Sequence, residues 1–214
     1  MKSITVWPYS ARVIHLLLVA MVSFQFFSAW ALGQGAGDPN FWLDWHVMLG
    51  QGLLFVLGAR LYLLSGKGVL GWRALVLDRA ARRGAVEMGK FYLSMGRMPL
   101  PAWFAHNPAW RPLYVLMLVL LVAAVLTGFG HDSYWRVAGF RISELHTAAT
   151  SLLAIVLVGH VAAAVWHDWK GHVGGISGIL GGDRCFEDKQ PGQTGGLPFG
   201  SIQVPFDTTP KKKD

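Results

Sequence analysis

Four long apolar stretches dominate this chain, at about residues 11–32, 41–65, 112–129 and 142–167. Each reaches or approaches the roughly 20 residues that a membrane-spanning helix needs. Backbone N–H and C=O groups find no water in hydrocarbon, so spans of this kind fold as helices that satisfy themselves. Only 14% of the residues are charged, against about 25% in an ordinary soluble domain. The expected fold is therefore an all-α membrane protein, a four-transmembrane-helix bundle. Lys2, Arg12 and the run Ala29-Trp30-Ala31 imitate a signal peptide, but the apolar run is too long for one.

The connections orient the bundle. Between the second and third spans lie Lys67, Arg73, Arg79, Arg82, Arg83, Lys90, Arg97 and Arg111, against Asp78 and Glu87. The first connection holds Asp38 and Asp44 and no base, and the third is mixed. Cytoplasmic loops carry the excess of Lys and Arg, so both termini and the long middle connection are expected on the cytoplasmic side. In that connection Trp72, Leu75, Val76, Val86, Phe91, Tyr92 and Met95 alternate with arginines. The pattern suggests a cytoplasmic amphipathic helix on the headgroups; a solvated basic loop is the competing reading. Asn107-Pro108 reads as a helix start, since Asn caps and Pro fits the first turn. The expected domains are a membrane unit over 1–180 and an irregular cytoplasmic tail over 181–214, rich in Gly, Pro and charge.

The net charge is +7. Its bases flank apolar segments, so the partner they imply is membrane lipid and not nucleic acid. The single cysteine, Cys185, builds no disulfide framework, and no CxxCH motif is present. Any haem must be held without thioether links, as haem b.

Four histidines lie inside the spans: His15, His46, His146 and His160. A titratable residue in hydrocarbon is costly and usually functional, and neutral imidazole is the usual axial ligand of haem iron. Fourteen residues separate His146 from His160, about 21 Å and just under four turns, so both leave one face of one helix. By depth, His46 matches His146 outside and His15 matches His160 inside. Each pair is expected to hold one six-coordinate haem iron. A lone histidine could instead hydrogen-bond a neighbouring helix, but four at matched depths fit that reading poorly. Zinc wants more ligands than two per site. Small residues such as Gly50, Gly58, Ala149 and Ala163 leave room near the histidines, as ordinary helix packing also would.

Arg12, one turn before His15, and Arg60, near the inner end of the second span, are expected at haem propionates or snorkelling to headgroups. His106, His131, His167 and His172 read as interfacial by default. His167 and His172 are also candidates for a quinone or propionate contact, with His167 the preferred proton donor.

The segment Ala11-Arg12-Val13-Ile14-His15, the run from His46 to Gly50 leading to Arg60, His106-Asn107-Pro108, and the His146–His160 spacing together resemble the bacterial cytochrome b561 superfamily. The branch that fits is that of the di-haem b-type cytochrome subunits of nickel-iron hydrogenases, thiosulfate reductase and formate dehydrogenase. The likeness covers about residues 5–180, although many relatives carry an aromatic residue where this chain has Leu16.

The resemblance implies two b haems and electron transfer between the quinone pool (menaquinone or ubiquinone) and an outward-facing partner. That partner would be an iron-sulfur subunit of a hydrogenase or molybdenum oxidoreductase, or a c-type cytochrome. It implies a quinone site at the cytoplasmic haem, near His15 and His160, with Arg12, His167 and residues 171–182 as neighbours. A second reading within the same pattern is a stand-alone superoxide oxidase that reduces quinone; a basic outer patch would favour it.

Overall fold

The computed structural model describes residues 2–171 and 178–186. Its helices are α1 (Tyr9–Gln34), α2 (Pro39–Leu64), α3 (Arg79–Leu93), α4 (Arg111–Phe129) and α5 (Ile142–Gly171). All except α3 are long and apolar enough to cross a membrane.

Local chemistry sets the boundaries. Pro8 supplies the extended residue before α1, and Gly35 ends that helix at φ 64°, a left-handed conformation that glycine adopts without a Cβ penalty. Asp38 accepts from Asn40 N at 2.9 Å and Pro39 opens α2, so the connection between the first two spans is short and the helices run antiparallel. Asn107 caps as expected, accepting from Ala109 N at 3.0 Å. It caps a 3-10 turn, Pro108–Trp110, which feeds into α4. The last helix runs past the expected end at 167 to Gly171.

α1 packs along α2 and α4 along α5, and α2 joins the two hairpins through α4. The core lies at that seam, in Leu53 and Leu57 of α2, Leu120, Leu121 and Val125 of α4, and Leu153 of α5. Large apolar side chains such as Phe55, Ile155 and Val158 point outward. That is the inverse of a soluble bundle and suits a lipid surround.

The middle connection contains the amphipathic helix. Asp78 caps α3 by accepting from Ala81 N at 2.7 Å. Ala81, Met88 and Phe91 are buried on one face, while Arg79, Arg82, Arg83 and Lys90 are exposed on the other. Met88 and Phe91 join Trp103 in a second core that touches Trp166 of α5. α3 is thus packed onto one end of the bundle. That end, where α1 and α4 begin and α2 and α5 finish, is called the basic end below.

The fold is the expected all-α bundle, and two short ribbons accompany its helices. β2 (Arg136–Val137) and β3 (Phe140–Arg141) pair between α4 and α5, across Ala138 at φ 51° and Gly139 at φ 87°. A two-residue turn with both central residues left-handed suits the twist of a hairpin. β1 (Lys2–Thr5) pairs antiparallel with β4 (Asp183–Phe186). Within the tail expected to be irregular from 181, residues 183–186 are therefore a strand. Thr5 Oγ1 donates to Asp183 Oδ1 at 2.6 Å, and Gly182 O accepts from Val6 N and Trp7 N at 2.8 and 3.0 Å. The pairing joins segments nearly the whole chain apart, so no local periodicity announces it. The rest of the tail, from 187 onward, and His172 lie outside the described residues.

Candidate cofactor site

At the end away from α3, His46 of α2 and His146 of α5 are half-buried and within range of each other's charge. Their protonation can be read from hydrogen bonds. Ser28 Oγ lies 2.9 Å from Phe24 O and 3.1 Å from Gln25 O, so its single proton is spent within α1. It must then accept from His46 Nδ1, 2.8 Å away. His146 Nδ1 lies 3.0 Å from Ala124 O, an acceptor only, so this nitrogen also carries a proton. Thr127 Oγ1 is 3.1 Å from the same atom. In its neutral form each ring then carries its lone pair on Nε2, and neither Nε2 has a partner among the described residues. This is the state in which imidazole ligates a metal, with its other N–H anchored to the protein. The His146 ring packs on Gly128, where a Cβ would stand 3.4 Å from His146 Cε1. Gln25 Nε2 donates to His46 O at 2.9 Å and fixes the backbone below that ring.

At the basic end, His15 of α1 is within charge range of His160 of α5 and of Arg60 of α2. The His160 ring stands against Trp110 (centroids 5.9 Å apart) and Tyr114 (5.7 Å). Here the polar atoms are not satisfied internally. His15 Nδ1, Arg60 Nη1, Arg12 Nε, Arg111 Nε and Trp7 Nε1 are buried with no hydrogen-bond partner among the described residues. The arginine and tryptophan atoms can only donate. The Arg12 side chain reaches the turn before β4, where its Nη2 donates to Leu180 O. This leaves it neither snorkelling freely nor far from His15.

His106 was expected at the interface, and the structure corrects that. Its ring packs edge-on against Trp7 (5.0 Å) and Tyr114 (5.4 Å), and its Nδ1 is buried without a partner. Burial above all, with Arg60 and Arg111 nearby, pushes its pKa down to about 4. It is neutral at physiological pH and belongs to the basic-end cluster. The neighbours that bury it come from β1–α1 and α4, which the local sequence of a loop histidine does not reveal.

His167 is likewise enclosed by protein; it is 3% exposed. Phe91, Tyr92 and Trp103 surround its ring, and Nε2 lies 2.9 Å from Tyr92 Oη. Burial raises the pKa of the Tyr92 phenol, opposed in part by its hydrogen bonds from Trp110 and Asn107, so the hydroxyl keeps its proton at neutral pH. Residue spacing alone placed His167 on α5 but missed the cap that α3 and Trp103 build over it. His131 is exposed, 3.2 Å from Asp132 and ring-to-ring with His146 at 5.7 Å.

Among the described residues no group of three or more His, Cys, Asp or Glu could hold a metal ion. Paired histidines at two levels, with ligand-ready Nε2 atoms at one and a surplus of donors at the other, fit haem b: imidazole nitrogens would hold the iron and the buried N–H groups would donate to the propionates. The family profile of prokaryotic cytochrome b561 matches residues 6–182. The chain belongs to the prokaryotic cytochrome b561 family. It is a membrane cytochrome b of electron transfer, and cytochromes of this family bind haem b. No curated protein and no solved structure gives a match.

Proposed function

We propose that this b561 cytochrome carries two haems b and passes electrons across the bilayer between an outward-facing redox partner and the quinone pool. When bound, the haems supply one-electron chemistry. The chain's residues supply ligands, spacing and charge. His46 and His146 hold one iron, and His15 and His160 the other. The single observation that carries this is the arrangement of the four histidines: two pairs, each within charge range, at opposite ends of the bundle.

With the basic end in the cytoplasm, as the positive-inside rule directs, the His15–His160 haem faces the cytoplasm. Arg60, His106 and Arg111 offer donors to its propionates. The quinone site is proposed beside this haem, with Arg12 as the nearest charged group on α1. His167 is left out of it, because its ring is buried and its Nε2 is committed to Tyr92. The outer partner is proposed as an iron-sulfur subunit of a hydrogenase or molybdenum oxidoreductase, or a c-type cytochrome.

One observation favours the superoxide oxidase instead. Arg136 and Arg141 are exposed and directly opposed across the β2–β3 hairpin, a basic spot that would attract an anion. Two measurements decide. Pyridine haemochrome on purified protein should give two acid-acetone-extractable haems per chain; one haem ends the di-haem reading. Gentle detergent extraction should bring down an iron-sulfur or multihaem protein. A self-sufficient preparation that reduces quinone from superoxide would replace the partner-linked reading.

A further inference from the structure

Tyr92 of α3 stands where three elements meet. Its hydroxyl oxygen is 2.8 Å from Trp110 Nε1, 3.3 Å from Asn107 Nδ2 and 2.9 Å from His167 Nε2. The donors can be assigned. An indole N–H only donates. Asn107 uses Oδ1 to accept from Ala109 N, which turns its NH2 toward Tyr92. The phenol oxygen therefore accepts twice. Its one proton remains for His167 Nε2, so that ring is neutral and protonated on Nδ1. With one role for each group, this assignment satisfies all three contacts.

Trp110 is also a wall of the basic-end site. Its ring meets the His160 ring at 5.9 Å and 64°. Trp110 also packs closely on Gly159, where a Cβ would stand 3.3 Å from Trp110 Cη2. The indole is thus held at its N–H by Tyr92 and packs against the His160 ring.

We propose that Tyr92 is a positioning residue for the basic-end haem ligand: its hydroxyl fixes the Trp110 indole, and the indole fixes the ring plane of His160. The inference rests on the reading of His160 as a haem ligand. It assigns the amphipathic helix a part in tuning that haem, because Tyr92 reaches the site from α3 while most of the helix's charged residues face outward.

The test uses the haem-loaded, full-length protein. Tyr92→Phe keeps the ring that packs on Phe91 and Trp166 and removes only the hydroxyl. It should change the low-spin ferric EPR signal and the midpoint potential of one haem, the one that His160→Ala removes. The other haem should stay as in the parent. Trp110→Phe, which deletes the indole N–H, should move the same haem. The double variant should shift it no further than the larger single change, since the two residues act in series. Resonance Raman bands of the indole N–H give a readout independent of haem, and the Tyr92→Phe spectrum should show that Trp110 has lost its acceptor. If Trp110 loses its acceptor and the His160-linked haem keeps its signal and potential, the proposal is overturned. It is equally overturned if both haems shift alike or the two variants add. If His160→Ala keeps both haems, the ligand reading fails instead and takes the proposal with it, a result read from a different variant.

Discussion

At the end of the bundle away from α3, His46 and His146 each anchor Nδ1 to a partner within the protein, Ser28 in one case and Ala124 O in the other. At the basic end His15 and His106 have no such anchor, and buried donors of Arg12, Arg60, Arg111 and Trp7 are left unmade. An unmade buried hydrogen bond costs about 1–3 kcal/mol. One site is therefore complete in its outer shell before any guest arrives. The other would be completed by a guest that brings acceptors. A b haem whose propionates met these donors would satisfy the second pattern. The comparison teaches that ligands alone do not define such a site, because the neighbours of the ligands already distinguish two levels made of the same residue type.

The largest effect expected is loss of a whole cofactor. His46→Ala and His146→Ala should each remove the same spectral component, and His15→Ala and His160→Ala the other. Haem content should fall from two per chain to one, measured by haemochrome and by low-temperature difference spectra. If the His15 and His146 variants lose the same haem, the two-level comparison collapses.

A smaller effect should separate the two ends by kind. Ser28→Ala strips the acceptor from His46 Nδ1, so it should weaken haem at that end by roughly tenfold or more and also destabilise the haem-free protein. Arg60→Met should weaken haem at the basic end, where a charge-assisted hydrogen bond contributes about 1.5–3 kcal/mol. It should leave the haem-free protein no less stable, because the lost donor Nη1 had no partner there. Haem titration of the stripped protein and thermal melts of both forms make the measurement. Equal destabilisation of the two haem-free variants would erase the distinction.

These contrasts show how far the sequence reaches. Hydropathy marked the four spans, because a lipid-facing helix must be apolar over most of its surface. Depth along the spans paired the histidines, because rise per residue is fixed. The alternation of arginines with Val86, Phe91 and Tyr92 marked α3. What escaped was tertiary. Trp7 and Tyr114 are nearly the whole first half of the chain apart, and together they enclose His106. Tyr92, Asn107, Trp110 and His167 come from three separate segments, and β1 finds β4 across the length of the molecule. Such contacts carry no period. The histidine in His106-Asn107-Pro108 read as interfacial because a loop residue has no depth to measure.

The smallest effect expected is a pH dependence at the basic end. Burial first, then the charges of Arg60 and Arg111, lower the His106 pKa from its ordinary value of 6.5 to about 4. The unfolded chain takes up a proton below about pH 6.5, whereas the folded chain resists until about pH 4. The stability contributed by the neutral buried ring is thus fully present above pH 6.5. It is lost as the pH falls toward 4, by at most about 3 kcal/mol. Propionates docked on Arg60 would weaken the two guanidinium fields but not the burial, so haem-loaded protein should show a shallower loss than haem-free protein. Thermal midpoints of detergent-solubilised protein between pH 7 and about 4.5 should fall in the parent and fall less in His106→Gln. The difference between parent and variant should shrink when haem is restored. A variant whose pH profile overlays the parent's would mean that His106 is solvated in the membrane-extracted protein, and the basic end would then hold one buried imidazole fewer than its geometry implies.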